Sequence, residues 1–259
     1  MRLQNVLVVH KIGFTEKEKI AYNNVISVLK NNHILHRSIS LLEVHPDMIH
    51  ERDLIIVVGG DGTFLKTAHA VIDIPFLCIN ADPQKTEGFF STTTAENAEK
   101  KLMQIRAGKI KPTALWRLQA YIDNKPVEPC LNEYYIGEQK PYHVSKYIFN
   151  SGKKQEMQKS SGVIISTAAG STAWCRSAGG KVMQRRKKQF QFVVRDPYIG
   201  MLAKTKLKKG IVEKDAQLAI TSLSENMILV ADAVGREHVL SKNSCVHIQQ
   251  SEKPVYVFY

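Results

Sequence analysis

The chain has 259 residues, is 44% hydrophobic and 23% charged, and carries a formal net charge of +12. That length allows one large domain or two of ordinary size, and the apolar content is that of a chain with a real core, which excludes wholesale disorder. No apolar run approaches the ~20 residues of a membrane-spanning helix, so no membrane association is expected.

The first element is "NVLVVH", Asn5 to His10, a buried-strand pattern with no signal-peptide layout before it. Thr15 and Glu18 stand at capping-box spacing ahead of a helix whose apolar positions are Ala21, Val25, Val28 and Leu29. A strand is expected near His33 to Leu42 and another at "DLIIVV", which starts at Asp53. The latter runs into Gly59-Gly60-Asp61-Gly62-Thr63, and a helix is expected from about Thr63. "IPFLCIN", Ile74 to Asn80, is the next strand, and Thr93 with Glu96 reads as a capping pair for a helix that Gly108 closes. Strands alternating with helices predict an α/β domain with a mostly parallel sheet over residues 1–110.

Beyond Lys111-Pro112 the pattern changes. "ALWRLQAYID", "YHVSKYIFN", "GVIIST", "QFQFVV", "QLAITSLS", "MILVAD" and "CVHIQQ" are short strand-like runs with few helix signals between them. They predict an all-β domain of packed sheets over residues 111–259. The closing run "PVYVFY" fits either domain.

The four cysteines are far apart and form no CxxC pair, which suits a reducing, cytoplasmic setting. The nine histidines show no ligand spacing, so no structural metal is expected. Residues 151–259 hold 18 Lys and Arg against 8 Asp and Glu, so most of the positive charge lies there. Such a surface favours polyanions, nucleotide phosphates among them. "RRKKQ", Arg185 to Gln189, lacks the interleaved aromatics of a single-strand-binding surface and reads as a solvated basic loop; nucleic acid is not expected as a partner. Arg195, Lys66 and Lys159 read as surface charges.

Gly59, Gly60 and Gly62 let the backbone approach a ligand closely, and the helix start behind them favours phosphate. Asp61 stands in that turn as a carboxylate with no partner evident in its neighbours. Beside a phosphate site it is either a helix cap, a metal ligand, or a base toward a hydroxyl, and the last two belong to phosphoryl transfer. The turn has no GK[ST] and is not GxGxxG, which excludes those two phosphate-binding patterns. A second glycine-rich segment, "SSGVIISTAAGSTAWCRSAGG", Ser160 to Gly180, offers small hydroxyl donors and the flat face of Trp174. A third, "LNEYYIGE", sets Asn132 and Glu133 among apolar neighbours, where an amide and a carboxyl can read a base edge and ribose hydroxyls.

These three segments, in this order, resemble the NAD kinase family, whose hallmarks are a GGDGT motif, an NE or ND dipeptide and a Ser/Thr/Gly-rich stretch before AGG. "CINADPQKTEGFF", Cys78 to Phe90, together with "QKSSG" and "GSTAW", looks like the mitochondrial-type members and their bacterial relatives. The resemblance implies an α/β amino-terminal domain with a Rossmann-like sheet, followed by a β-sandwich. It implies transfer of the γ-phosphate of ATP, with Mg²⁺, to the 2′-hydroxyl of the adenosine ribose of NAD, in a homodimer or homotetramer. Asp61 would take or hold the hydroxyl proton, while Gly59, Gly60, Gly62 and Thr63 cradle phosphates. Asn132 and Glu133 would read the dinucleotide. Thr172, Ala173, Trp174 and Ser177 would line its pocket, and Phe89 and Phe90 would close over the adenine side. The chain departs from the family at Ala168-Ala169, commonly Pro/Gly and Thr/Ser, and at Asp232-Ala233, where Asp-Gly is frequent. Two other readings stay open: a dinucleotide-binding regulatory protein without turnover, and a lipid kinase sharing GGDGT.

Overall fold

In the computed structural model, which describes residues 3–71, 73–140, 142–200 and 205–259, "NVLVVH" forms β1, Asn5–His10. Val6 to Val9 are fully buried, so the strand has protein on both faces, as strands of a covered parallel sheet do. Helix α1, Glu16–Asn31, starts on the capping box foreseen from its spacing: Thr15 Oγ1 accepts from the Glu18 N–H, and the Glu18 carboxylate accepts from the Thr15 N–H. It is followed by β2, Leu35–Ser40, β3, Leu54–Gly59, α2, Asp61–Ala70, and β4, Phe76–Asn80. Strands β2, β1, β3 and β4 lie in that order with parallel neighbours, and the last strand of the chain, Val255–Phe258, pairs parallel with β4. One sheet face packs on α1 and on α3, Ala98–Arg106, through Val6, Val8, Val25, Leu29, Ile56, Leu102 and Ile105. Phe64 of α2 sits edge-on to Phe76 of β4, with ring centroids 5.1 Å apart.

This unit comprises Met1–Ala114 and Val255–Tyr259; Leu115–Pro254 form the other. The second unit is two antiparallel six-stranded sheets. One runs in the order Lys154–Ser160, Ser145–Ser151, Leu218–Ser222, Cys245–Gln250, Leu118–Ile122, Lys125–Pro126. The other runs Lys209–Glu213, Gln189–Arg195, Gly162–Thr167, Glu133–Glu138, Met227–Ala231, His238–Leu240. Side chains from both sheets, among them Tyr147, Phe149 and Ile220 from the first and Tyr134, Ile165 and Phe192 from the second, fill one apolar core. That makes the unit a β-sandwich.

Several local expectations change. "ALWRLQAYID" is two strands, Thr113–Leu115 and Leu118–Ile122, because the chain changes sheet at Trp116-Arg117. Thr94, not Thr93, precedes the turn before α3: Thr93 is in a short strand on β4, and the Glu96 carboxylate bonds the Thr94 side chain. Helix α2 begins at Asp61, two residues before the expected start. The basic run is not wholly solvated, since Lys188 stacks over the Trp116 ring at 4.1 Å and Gln189 begins a strand.

Candidate active site

Asp61 is the first residue of α2, directly beyond the β3 carboxyl end, where ligands of open α/β sheets gather. It does not cap its own helix; Gly60 holds the cap position without a side-chain bond. Nor is it unpartnered, as its neighbours in sequence suggested. Its carboxylate accepts three backbone N–H groups from a loop about thirty residues on: Phe89 to Oδ2 at 2.8 Å, and Phe90 and Ser91 to Oδ1 at 2.9 and 3.0 Å. A carboxylate has about four acceptor positions, so these bonds leave one on Oδ2.

The loop reaches Asp61 because it is wound around Asn80. Asn80 Oδ1 accepts from the Asp82 N–H at 3.2 Å and the Thr86 hydroxyl at 2.7 Å. Gly88 has φ +66°, and a Cβ there would lie 2.6 Å from Asn80 Nδ2 and 2.7 Å from the Ser91 carbonyl. Only glycine fits that position. In the turn itself a Cβ on Gly59 would meet Thr63 Oγ1 at 2.7 Å, whereas nothing lies within 4 Å of one on Gly62.

The second unit repeats the device. The Asp232 carboxylate accepts the N–H groups of Leu131, Asn132 and Glu133 at 2.8, 2.6 and 3.1 Å. Asp232 and Ala233 both have positive φ, 54° and 51°, and this left-handed pair brings the carboxylate under the strand. Asn132 and Glu133 are buried, and Asn132 Oδ1 and Glu133 Oε2 have no hydrogen-bond partner among the described residues. Burial, with the Asp232 charge adding to it, pushes the Glu133 carboxyl up to about 8. Glu133 is therefore largely protonated at neutral pH and can donate as well as accept a hydrogen bond.

Glu133 lines a cavity of about 270 Å³ with Tyr135, Trp174, Val230 and Ala233. The Tyr135 and Trp174 rings are 5.3 Å apart, and the Arg195 guanidinium lies 5.3 Å over the Trp174 ring. Arg195 is thus part of an aromatic stack instead of a bare surface charge. Trp174 sits in a short helix, Trp174–Ser177, after the turn Ala169–Thr172. That turn fits because a Cβ on Gly170 would overlap the Asn132 backbone carbonyl oxygen.

The structure thus joins Asp61 to the backbone of Phe89 and Phe90, and Glu133 to Trp174. Thr172, Ala173 and Ser177 are not among the residues lining the aromatic cavity, and Ser177 is exposed. The Phe90 ring is buried against Phe64, with centroids 4.9 Å apart, so Phe90 meets Asp61 through its amide and not by closing over a ligand. Tyr135, Ala233 and the Ser91 amide were missed; only the Asp232-Ala233 pair carried a sequence signal. Among the described residues no group of three or more His, Cys, Asp or Glu converges as metal ligands do.

A glycine turn and helix start beyond a parallel strand, with a fixed carboxylate in it, followed by a β-sandwich bearing a buried carboxyl beside stacked aromatics, defines a nucleotide-handling phosphotransferase. Family models match almost end to end: "ATP-NAD kinase N-terminal domain" over residues 5–110 and "ATP-NAD kinase C-terminal domain" over residues 131–259. The chain belongs to the NAD kinase family, and its activity is that of an ATP-dependent NAD kinase. It is 28% identical over 259 residues to an NAD kinase of Methanospirillum hungatei, covering 96% of this chain and 92% of that one. It is also 28% identical over 230 residues to a probable NADH kinase of Oryza sativa, covering 80% and 70%. Among solved structures it is similar to an NAD kinase from Archaeoglobus fulgidus in complex with ATP, with TM-score 0.79, 21% identity, and 98% and 93% coverage. It is likewise similar in fold to yeast NADH kinase complexed with NADH, with TM-score 0.84, 16% identity, and 99% and 83% coverage. Neither the lipid-kinase nor the regulatory reading is favoured by these matches.

Proposed function

We propose that the chain transfers the γ-phosphoryl group of ATP to the 2′-hydroxyl of the adenosine ribose of NAD, with Asp61 as the group that receives the hydroxyl proton. The ribose O–H bond breaks, an oxygen–phosphorus bond forms, and the bond from the γ-phosphorus to the β-bridging oxygen of ATP breaks, so NADP and ADP result. The observation that carries the reading is the setting of Asp61. Three backbone donors fix its carboxylate at a helix start and leave one acceptor position on Oδ2. A base held in this way is placed before substrate arrives, which is where much of the advantage of positioning lies.

Gly59, Gly60, Gly62 and Thr63 cradle phosphate in this reading, supported by the α2 start and by the open space over Gly62. Phe89 and Phe90 act through the amides that hold Asp61. Asn132 and Glu133 read the dinucleotide in this reading, Glu133 from the wall of the aromatic-lined cavity. Trp174 gives a ring of that substrate a flat face, with Tyr135 beside it; Thr172, Ala173 and Ser177 lie outside this cavity's lining. Magnesium belongs to the ATP, whose phosphate charge it neutralises. The cytoplasmic setting rests on the four scattered cysteines and a homodimer or homotetramer on the sequence resemblance, and light scattering of the purified chain tests the assembly.

The test is NADP formation from NAD and Mg-ATP, with NADH as a parallel acceptor, beside Asp61→Asn. A loss of ~10²–10⁴-fold in the variant with NAD binding retained is the expected result. Native protein that binds NAD without turnover refutes the activity. Turnover indifferent to Asp61→Asn keeps the activity and removes the mechanism.

A further inference from the structure

The aromatic cavity of the second unit has a second carboxyl on its wall, one to which the kinase reading gives no task. Glu237 lines it together with Glu133, and the two differ in setting. Glu133 is buried, its carboxyl pushed up to about 8 by burial and then by the Asp232 charge. Glu237 is exposed. Its Oε2 accepts from the uncharged Gln139 amide at 3.2 Å, and among the described residues no cation forms an ion pair with it. The Arg195 guanidinium over Trp174 is not part of the cavity lining, and it lies 3.6 Å from the Asp196 carboxylate.

The chain fixes the residues on both sides of Glu237. Glu128 Oε1 accepts from the Arg236 N–H at 3.0 Å, and Glu128 Oε2 pairs with His238 Nε2 at 2.6 Å. Glu128 is itself held through its carbonyl, which accepts from the Tyr134 hydroxyl at 2.7 Å. A Cβ on Gly235 would lie 2.8 Å from Glu128 Oε1 and 2.9 Å from the Ala231 carbonyl, so the turn is drawn tight onto this clamp. The position of the Glu237 backbone at the cavity wall is therefore set before a ligand arrives.

We propose that Glu237 is a specificity-determining residue, whose carboxylate makes this cavity favour the oxidised dinucleotide NAD over NADH. The two ligands differ at one ring: the nicotinamide of NAD is a cationic pyridinium, and that of NADH is a neutral dihydropyridine. An indole face with a carboxylate beside it attracts the cation and has no such pull on the neutral ring. At about 270 Å³ the cavity takes one end of a dinucleotide and not the whole. Repulsion between Glu237 and the pyrophosphate is common to both ligands and cancels in the ratio of their affinities. The proposal rests on the kinase reading in taking a nicotinamide dinucleotide as the ligand of this cavity.

The test is isothermal titration calorimetry of NAD and of NADH on the full chain without ATP. The quantity read is the NADH dissociation constant divided by that of NAD. Glu237→Gln is expected to lower this ratio ~fivefold, the scale of one unit-charge contact in water, and the effect should shrink as salt is raised. Glu237→Lys should lower it further. Glu252→Gln removes an exposed carboxylate that does not line the cavity, and should leave the ratio within about twofold. A merely structural role for Glu237 would weaken both ligands alike. A ratio that Glu237→Gln leaves within about twofold overturns the proposal, and so does an equal response to Glu252→Gln, which would make the effect one of net charge. Such a result in a chain that still forms NADP overturns this proposal alone. A native chain that binds neither dinucleotide overturns it together with the kinase reading.

Discussion

Replacing Glu133 by Gln should make the protein more stable, and the gain should grow with pH. In the fold, burial followed by the Asp232 charge raises the Glu133 carboxyl to about 8 from an ordinary 4.5. The folded state therefore binds a proton that the unfolded chain releases in that window. Stability from this group is fully present below pH ~4.5, falls as pH rises, and is lost once pH passes about 8. At ~1.4 kcal/mol per pH unit of difference, ionising Glu133 in place costs the fold up to ~5 kcal/mol. Gln cannot ionise and mimics the protonated carboxyl. Urea denaturation at intervals from pH 5 to pH 9 should show the two proteins nearly alike at the acid end. At the alkaline end Glu133→Gln should be ahead by several kcal/mol. The difference between the two curves isolates this group from the histidines and other residues that titrate in both. Parallel curves would refute the argument, because they would mean that Glu133 is ionised in the fold at neutral pH.

Gly88→Ala should cost ~2–3 kcal/mol in urea denaturation and depress NADP formation, since its Cβ cannot avoid Asn80 Nδ2 and the Ser91 carbonyl. Gly13→Ala, at the same φ of +66° but with nothing within 4 Å, should cost only ~1–2 kcal/mol and spare activity. Asp232→Ala leaves three buried N–H groups without their carboxylate and should lower the unfolding free energy by at least ~3 kcal/mol in the same assay. Ala233→Gly relieves a left-handed alanine and should raise the urea midpoint by up to ~1 kcal/mol equivalent.

Strands whose burial is carried by apolar side chains were plain in the sequence. Asn5–His10 and Gly162–Thr167 are runs of Val, Ile and Leu between polar ends, and both were placed to the residue. Lys154–Ser160 was invisible because its inward residues are polar. Gln158 Nε2 donates to the Leu207 carbonyl and the Ser160 hydroxyl pairs with that of Tyr147, bonds that no hydrophobic pattern records. The same reason divides the site. Glycines around Asp61 announced a turn that meets phosphate. The partners of Asp61, however, are backbone amides 28 to 30 residues away, and those of Asp232 are 99 to 101 residues away. An amide donor looks the same under any side chain, so its position follows from the loop path and not from residue type. Glu133 could be named from its motif, but its protonation could not, because that depends on burial and on Asp232.

The strand Val255–Phe258 sits beside β4 in the first unit's sheet, yet it is the last part of that unit to leave the ribosome. Between Ala114 and Val255 the whole second unit must be synthesised. A nascent chain of the first 114 residues therefore has the Phe76-Leu77 part of the β4 edge open, Thr93–Thr94 covering only Ile79 and Asn80, and an open apolar edge templates pairing with other chains. Synthesis at ~5–20 residues per second keeps that edge uncovered for several seconds or longer. The sequence separation of this pairing also makes it a slow step in refolding. Loss of Val255–Phe258 would thus be felt in the sheet that carries Asp61, and aggregation during expression would be its first sign.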